Sequence, residues 1–530
     1  MPSPARPAHA APAASSRLTP GEVLRRQARA DTCRDKVALI EGDQRMTYGE
    51  LNGRVNRIAR ALLRLGVARG DRVGLLGRNS VEWVAAYFAL GKIGAIVVPL
   101  NFWYRGEEIQ YAFTQAGCSV LLAEAGYTAL VEGVREALTG LRHVVYFGAG
   151  AAGPGPSLAA LGAAEPGDEP AGGPDEEDPS VIIFTSGTTG FPKGATFTHR
   201  RQVLGSTVFA LETGMRESDT AVLVYPLFHV GGIDCLLLPM LIAGGTVVVL
   251  DRPEPREVLR AIERHRATFQ FCVPTLWRRL LRELAVESVD VSSVRLCLSS
   301  SDTITRETLL GIKEHFGAPV IQLYGLTEAC VVTHFLKAEH HESRLGSVGR
   351  PHPFVDVRIV DEAGRDVRPG EVGQILMRGP TVMAGYWNMP EKTAETIRDD
   401  WLHSGDLGRV DEDGFLYIMG RGKDMIISGG ENIYPAAIER VLREHPDVRD
   451  VAVVGLPDPE WSEAVCAVIV PREGAAPSAE SIVAFVSGRL AGYNRPKHVV
   501  LVDALPVTTA TGKVQKAELR KRYAHLGAAT

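Results

Sequence analysis

The chain has 530 residues, of which 45% are hydrophobic and 23% charged, and 58 Lys plus Arg against 63 Asp plus Glu leave a formal net charge of −5. That length has room for roughly three or four units of ordinary domain size, and the composition is globular, which excludes a disordered or fibrous chain. The acidic balance argues against a nucleic-acid or anionic-membrane binder, which needs a basic excess, but leaves room for a local basic pocket.

In chain order, residues 1–16 are rich in Ala and Pro and lack an apolar h-region, so a disordered tail is expected there and not a signal peptide. From about residue 36 to 147, short β-branched runs alternate with amphipathic stretches. Leu51, Val55, Ile58 and Leu62 fall at helical spacing between Tyr48 and Leu65, Thr47 and Glu50 form a capping box, and Gly66 fits the end. RVGLL (72–76), AIVVPL (95–100) and SVLLA (119–123) read as buried strands. Alternating strand and helix predicts an α/β fold whose large N-terminal domain, residues 17–420, is built on doubly wound mixed sheets.

Residues 148–178 interrupt this pattern with Gly, Ala, Pro and acid, and predict a flexible surface loop. Gly148, Gly150 and Gly153 match G-x-G-x-x-G after a strand-like run, but Pro154-Gly155-Pro156 follow where a dinucleotide site needs the first turn of a helix. Alternation resumes to about residue 420 and ends in a strand-rich subdomain containing VDVRIVD, QILMRG and FLYIMG. A charged segment, Gly420 to Asp424, precedes a last unit expected to be a small, mobile α+β domain over 424–525, with residues 421–423 as the hinge.

Seven cysteines are scattered without a C-x-x-C pair. Neither a disulfide framework nor a zinc knuckle is signalled, and the reducing cytosol is the expected compartment. No run reaches the roughly 18 consecutive apolar residues of a membrane span. His340-His341 reads as a solvated pair, not a metal site.

The strongest chemical signal is VIIFTSGTTGFPKG, residues 181–194. A buried strand runs into a loop carrying Thr185, Ser186, Gly187, Thr188, Thr189, Gly190 and Lys193. Glycines let backbone N–H groups converge on an anion, hydroxyls donate to phosphate oxygens, and lysine supplies charge. The Walker pattern G-x-x-x-x-G-K-[ST] is absent, because Lys193 lies between Pro192 and Gly194.

TSGTTGFPKG resembles the phosphate-loop signature of the adenylate-forming superfamily, in its acyl-CoA synthetase (fatty-acid–CoA ligase) branch. Other motifs follow in the family's order: YPLFHVGG (225–232), YGLTEAC (324–330), HSGDLG (403–408), GRGKDMIISGGENIYP (420–435) and TTATGKVQK (508–516). The likeness covers roughly residues 17–525. It implies an ATP-dependent carboxylic acid:CoA ligase, acyl or aryl, that forms an acyl-adenylate and releases AMP and pyrophosphate. ATP, Mg²⁺ and CoA are then the expected cofactors and co-substrates.

By this resemblance, Glu328 is expected to hold Mg²⁺, Thr327 to donate to the α-phosphate and Tyr324 to offer a face to adenine. Asp406 would accept the ribose hydroxyls with Arg421 assisting, and Lys513 would bridge the carboxylate and the α-phosphate. Without the family, Glu328 and Asp406 read as ordinary surface carboxylates and Lys513 as one lysine of a basic tail. For the second half-reaction, Gly429 and Gly430 would line the pantetheine tunnel, Lys423 match the hinge, Trp461 stack on the CoA adenine, and Arg495 with Lys497 hold its phosphates. The plain alternatives are a half-buried tryptophan and a solvated basic turn. His229 would form a pocket wall near the carboxylate, or else be a satisfied core histidine.

Three departures stand out. Ser300-Ser301-Asp302-Thr303 replaces a run of small residues usual beside adenine, and Asp302 is free to point away, bond the adenine amino group or touch a polar substrate. Ser462 follows Trp461 where glycine is usual, and Asn494 stands where lysine is common. The last two keep open a carrier-protein thiol as acceptor. A non-catalytic ATP- or acyl-binding protein is the remaining alternative, against which Lys513, Glu328 and the phosphate loop are all intact. The acid is expected to be uncharged outside its carboxylate, since His229, Gly231, Gly232, Ile233, Cys235, Leu326, Cys330 and Val331 include no second cation.

Overall fold

The computed structural model describes residues 17–148, 153–185, 192–428, 431–459, 461–487, 489–490, 492–508 and 513–527. The expected tail over 1–16 lies outside them. The helix read from its capping box spans Tyr48–Arg64, with both reciprocal bonds between Thr47 and Glu50 formed, and the three early strands are Arg72–Leu76, Ile96–Leu100 and Val120–Glu124.

Two large sheets carry the body of the chain. One has seven strands, in the order Gly385–Tyr386, Lys193–Thr198, Pro179–Thr185, Ile96–Leu100, Arg72–Leu76, Val120–Glu124, His143–Phe147. The last five of these pair in parallel and the first two are antiparallel additions. The other has nine strands, with a parallel interior that includes Phe269–Cys272, Leu296–Ser299 and Val320–Leu326. Helix Val81–Ile93 is apolar around its circumference, and every residue in it but Glu82 is buried. It meets strands of both sheets, which is the place for a helix with no polar face.

An antiparallel sheet follows, containing Asp356–Val360, Gly373–Arg378, Trp401–Val410 and Leu416–Arg421. The C-terminal unit has its own sheet, led by the long antiparallel pair Val448–Asp458 and Ser462–Pro471, with apolar clusters on both faces. The mixed α/β architecture agrees with the expectation.

The stretch 148–178, expected to be a flexible loop, is a correction. Its described part contains helix Leu158–Ala163, capped by Ser157, and packs on helix Tyr48–Arg64. Asn56 and Arg60 donate to the carbonyls of Gly167, Asp168 and Glu169. The reason is electrostatic. The Lys92 side chain is 5% exposed and its ammonium lies 2.6 Å from Glu169, so the acidic segment supplies the counter-charge that a buried cation requires. Among the described residues the next helix after Gly148 is this one, which begins beyond Pro154-Gly155-Pro156, and Gly150 lies outside them.

Candidate active site

A cavity of about 630 Å³ opens between the body of the chain and the C-terminal unit. Strand Pro179–Thr185 pairs antiparallel with Lys193–Thr198, so Thr185 and Lys193 stand opposite each other at the cavity edge. The Thr185 hydroxyl donates to the Lys193 carbonyl at 3.3 Å. The Lys193 ammonium lies 4.3 Å from the centre of the Tyr386 ring, a cation–π contact. Ser186, Gly187, Thr188, Thr189 and Gly190 lie outside the described residues.

Strand Val320–Leu326 delivers Tyr324, and the following turn, Thr327–Ala329, presents Thr327 and Glu328 to the cavity. The Tyr386 hydroxyl donates to Glu328 Oε1 at 2.8 Å. Asp406 and Arg421 are register partners on adjacent antiparallel strands, which explains the 2.7 Å ion pair between Arg421 Nε and Asp406 Oδ1. The Tyr324 hydroxyl donates to Asp406 Oδ2 at 2.6 Å. Burial pushes the Asp406 carboxyl above the ordinary aspartate range, against the pull of Arg421 and Tyr324. Gly405 before it has φ 73°, the left-handed conformation that glycine adopts without strain.

Lys513 also lines the cavity. The Thr508 N–H donates to the Lys513 carbonyl at 2.8 Å and Val507 bridges Val514, which fixes the backbone at Lys513. The residue keeps accessible surface toward the cavity, yet protein crowds it closely enough that desolvation, with Arg421 nearby, pulls its pKa below the lysine norm of 10.5. Asp406, Glu328 and Asp302 oppose that shift. His229 lies within electrostatic reach of Lys513, and burial together with that charge lowers its pKa to about 4. Its Nδ1 accepts the Gly231 N–H at 3.1 Å, so His229 is a neutral wall at physiological pH.

The geometry therefore gathers Thr185, Lys193, Tyr324, Thr327, Glu328, Asp406, Arg421, Lys513 and His229 around or directly behind one cavity. Of the other residues expected to line the acid pocket, Leu326 borders this space, whereas Gly231, Gly232, Ile233, Cys235 and Cys330 are buried behind it.

Of the residues expected to bind CoA, Trp461, Arg495 and Lys497 are not among those lining the cavity, and Gly429 and Gly430 lie outside the described residues. Arg495 and the expected hinge residue Lys423 are exposed, and Trp461 is 47% exposed. Lys497 is drawn instead to Asp458, whose side chain is fully buried, at 2.7 Å, and the same carboxylate accepts the Trp461 N–H at 3.0 Å. Ser462, the glycine departure, adopts φ 68°, a strained conformation for a residue with a Cβ. Asp302 is not among the residues lining the cavity, and its Oδ2 lies 3.5 Å from Arg443 Nη2. His341, expected to be solvated, is 1% exposed, and burial lowers its pKa to about 4.

Sequence reasoning missed Tyr386, and also Trp103 and Phe228 beside His229. Their rings stand 5.7 Å apart, edge to face, and both line the cavity. Phe228 stands next to His229 inside YPLFHVGG, so the motif could have found it, whereas no local pattern marks Trp103 or Tyr386 and only the fold brings those two to the site.

Among the described residues no group of three or more His, Cys, Asp or Glu could hold a metal by itself. Mg²⁺ needs only one or two carboxylates when phosphates complete its shell. The donor set of Glu328 with Thr327 at the Lys193 end fits that requirement.

The AMP-binding enzyme family model matches residues 24–387, and the AMP-binding enzyme C-terminal domain model matches residues 437–513. The chain is 39% identical over 487 residues to a feruloyl-CoA synthase of Amycolatopsis sp, covering 92% of this chain and 96% of that one. It is also 39% identical over 493 residues to an indoleacetate–CoA ligase of Aromatoleum aromaticum, covering 92% and 95%. A crystal structure of an anthranilate CoA ligase in complex with anthranoyl-AMP superposes with a TM-score of 0.89 at 31% identity, covering 97% of this chain and 98% of that one.

Proposed function

The chain belongs to the AMP-binding enzyme family and is an ATP-dependent carboxylic acid:CoA ligase acting through an acyl-adenylate, and we propose which residues perform each step and which acid it takes. The observation that carries the reading is that Lys513, Thr327, Glu328 and the Asp406–Arg421 pair meet around one cavity.

In the first step a carboxylate oxygen attacks the α-phosphorus of ATP, the bond to the β,γ-pyrophosphate breaks, and an acyl-adenylate remains. Both reactants are anionic, so the site must neutralise charge as the pentacovalent phosphorus forms. Lys513 does this between the carboxylate and the α-phosphate, Thr327 donates to a phosphate oxygen, and Lys193 with the 185–190 loop holds the pyrophosphate end. Asp406, oriented by Tyr324 and Arg421, accepts from the ribose hydroxyls. Glu328 would hold Mg²⁺, which supplies further charge neutralisation on the phosphates. Tyr386 orients Glu328.

In the second step a thiol attacks the acyl carbonyl, the thioester forms, and AMP leaves with the electron pair of the broken C–O bond. A thiol of ordinary pKa, ~8.5, is already a few per cent thiolate at neutral pH and needs no strong base. Trp461, Arg495 and Lys497 are our candidates for CoA contact. They lie outside the cavity while Lys513 is in it, so residues 424–525 must turn about 421–423 between the two steps. The second reading, a carrier-protein thiol as acceptor, draws support from the Lys497–Asp458 pair and the strained Ser462, which alter the expected CoA face.

The acid is a monocarboxylate with an uncharged remainder, aromatic before aliphatic. The lysines and arginines lining the cavity are Lys193, Arg421 and Lys513, all committed to the steps above. Trp103 and Phe228 offer aromatic surface beside His229, and the feruloyl and indoleacetate relatives are named for acids that carry rings. Seven buried free cysteines support a reducing compartment, the cytosol.

Incubating the protein with ATP, Mg²⁺ and a panel of aryl, arylalkyl, fatty and dicarboxylic acids, with and without CoA, tests this by mass spectrometry. Aryl-CoA and AMP are expected. Dicarboxylic acids as the best substrates would overturn the acid assignment, and an adenylate that never becomes a CoA thioester would favour the carrier protein.

A further inference from the structure

Two ion pairs among the described residues join the body of the chain to the C-terminal unit. Arg443, just after helix Pro435–Leu442, brings Nη2 to 3.5 Å from Asp302 Oδ2. Arg472, just after strand Ser462–Pro471, brings Nη2 and Nη1 to 2.9 and 3.4 Å from the two carboxylate oxygens of Glu307, in the first turn of helix Arg306–Phe316.

Asp302 is a well-fixed anchor. Its Oδ1 accepts the Thr303 N–H at 2.8 Å, and its carbonyl accepts from Gln322 Nε2 at 2.9 Å. Gln322 belongs to the strand that delivers Tyr324 and leads into Thr327. The anchor on the body is thus tied to the nucleotide site, and its partner Arg443 belongs to the same C-terminal unit as Lys513, though to a different element of it. Lys513 itself feels the Asp302 charge.

We propose that Asp302–Arg443 and Glu307–Arg472 are positioning pairs that hold the C-terminal unit with Lys513 in the cavity, and so favour acyl-adenylate formation over transfer to the thiol. The proposal rests on the function proposed above, in which this unit serves both steps in turn. The exposure of the carboxylates suits a reversible clamp, since the Asp302 and Glu307 side chains are 59% and 71% exposed, against 19% for Arg443 and 43% for Arg472. Exposed pairs are weak and salt-screened, so each biases the arrangement by about two- to fivefold and both together by about tenfold. A fully desolvated pair would resist the turn instead.

The test uses the full chain and three readouts: acid-dependent ATP–pyrophosphate exchange, thioester formation from supplied acyl-adenylate and CoA, and melting temperature. In the double variant Arg443→Gln/Arg472→Gln, exchange is expected to fall about tenfold, while transfer is not slowed and melting changes little. Raising NaCl to about 0.5 M should lower exchange in the wild type more than in the variant. The charge exchange Glu307→Arg/Arg472→Glu should recover exchange relative to Glu307→Arg alone. Equal losses in both half-reactions, or no loss in exchange, overturn the proposal while leaving the ligase reading intact. A wild-type protein that performs neither half-reaction with any acid overturns the ligase reading, and this proposal with it.

Discussion

The hydroxyl of Tyr386 donates to the carboxylate of Glu328 at 2.8 Å, and the Lys193 ammonium rests on the face of the same ring. One side chain thus orients both the proposed metal ligand and the lysine proposed for the pyrophosphate end. Tyr386→Phe keeps the ring and removes the hydrogen bond to a charged group, a loss of about 1.5–3 kcal/mol. An apparent KM for MgATP raised by about ten- to a hundredfold is expected, and steady-state kinetics over an ATP and Mg²⁺ grid checks it. Tyr386→Leu, which also removes the cation–π contact, should be worse than Tyr386→Phe. Equal kinetics for the two variants would contradict the double role.

Lys513 must be protonated to neutralise charge in adenylation, and its pKa lies below the lysine norm. Adenylation should therefore decline as pH rises through that lowered value, earlier than an ordinary lysine would cause. Lys513→Arg, which stays protonated, should show a reduced rate without that decline. Lys513→Ala should lose about 10²–10³ in pyrophosphate exchange, the scale of removing one transition-state donor. A Lys513→Arg profile that falls in parallel with the wild type would assign the limb to another group.

Asp234 is fully buried, with Oδ1 accepting from Gln202 Nε2 at 2.9 Å and Oδ2 without a hydrogen-bond partner. Desolvation raises its pKa to about 8. Between the unfolded value near 3.8 and 8 the unfolded chain has released this proton and the folded chain has kept it. The contribution to stability therefore shrinks as pH rises, by at most about 1.4 kcal/mol per pH unit. Asp234→Asn should remove that slope, so its stability relative to the wild type should grow from pH 5 to pH 8 in urea unfolding. A constant difference across that range would rule the ionisation out.

Histidines supply the opposite slope. Burial lowers the pKa of His199, His341 and His352 to about 4 and of His334 to about 3. The unfolded chain protonates them near 6.5 while the folded chain does not, so stability falls as pH drops from 6.5 toward 4. Unfolding at pH 5 should take up protons, measurable by calorimetry in buffers of different ionisation enthalpy. Proton release at that pH would contradict the buried neutral state.

Local chemistry was legible in the sequence wherever a motif and its geometry lie on one short segment. The capping box at Thr47 and Glu50 formed as read because it involves backbone three residues away. The expectation for 148–178 failed because composition describes how a segment behaves alone, and Glu169 is held by a lysine 77 residues earlier. Tyr386 was unreadable for the same reason, since its partners Lys193 and Glu328 come from a strand and a turn distant in sequence. Ser462 and Asp302 were visible as departures, but their consequences, a left-handed backbone and a pair with Arg443, were not.

By itself the sequence determined which chemical groups the chain brings, in which order, and on which local elements. Hydrophobic periodicity, glycine placement and motif spacing act through neighbouring backbone, so they survive without tertiary information. Tertiary structure alone decided which charges meet. It set Asp406 in register with Arg421, drew Lys497 to the buried Asp458, and brought Lys513 into the cavity. Electrostatic and packing energies depend on distance and desolvation, and across 530 residues only the folded chain defines either.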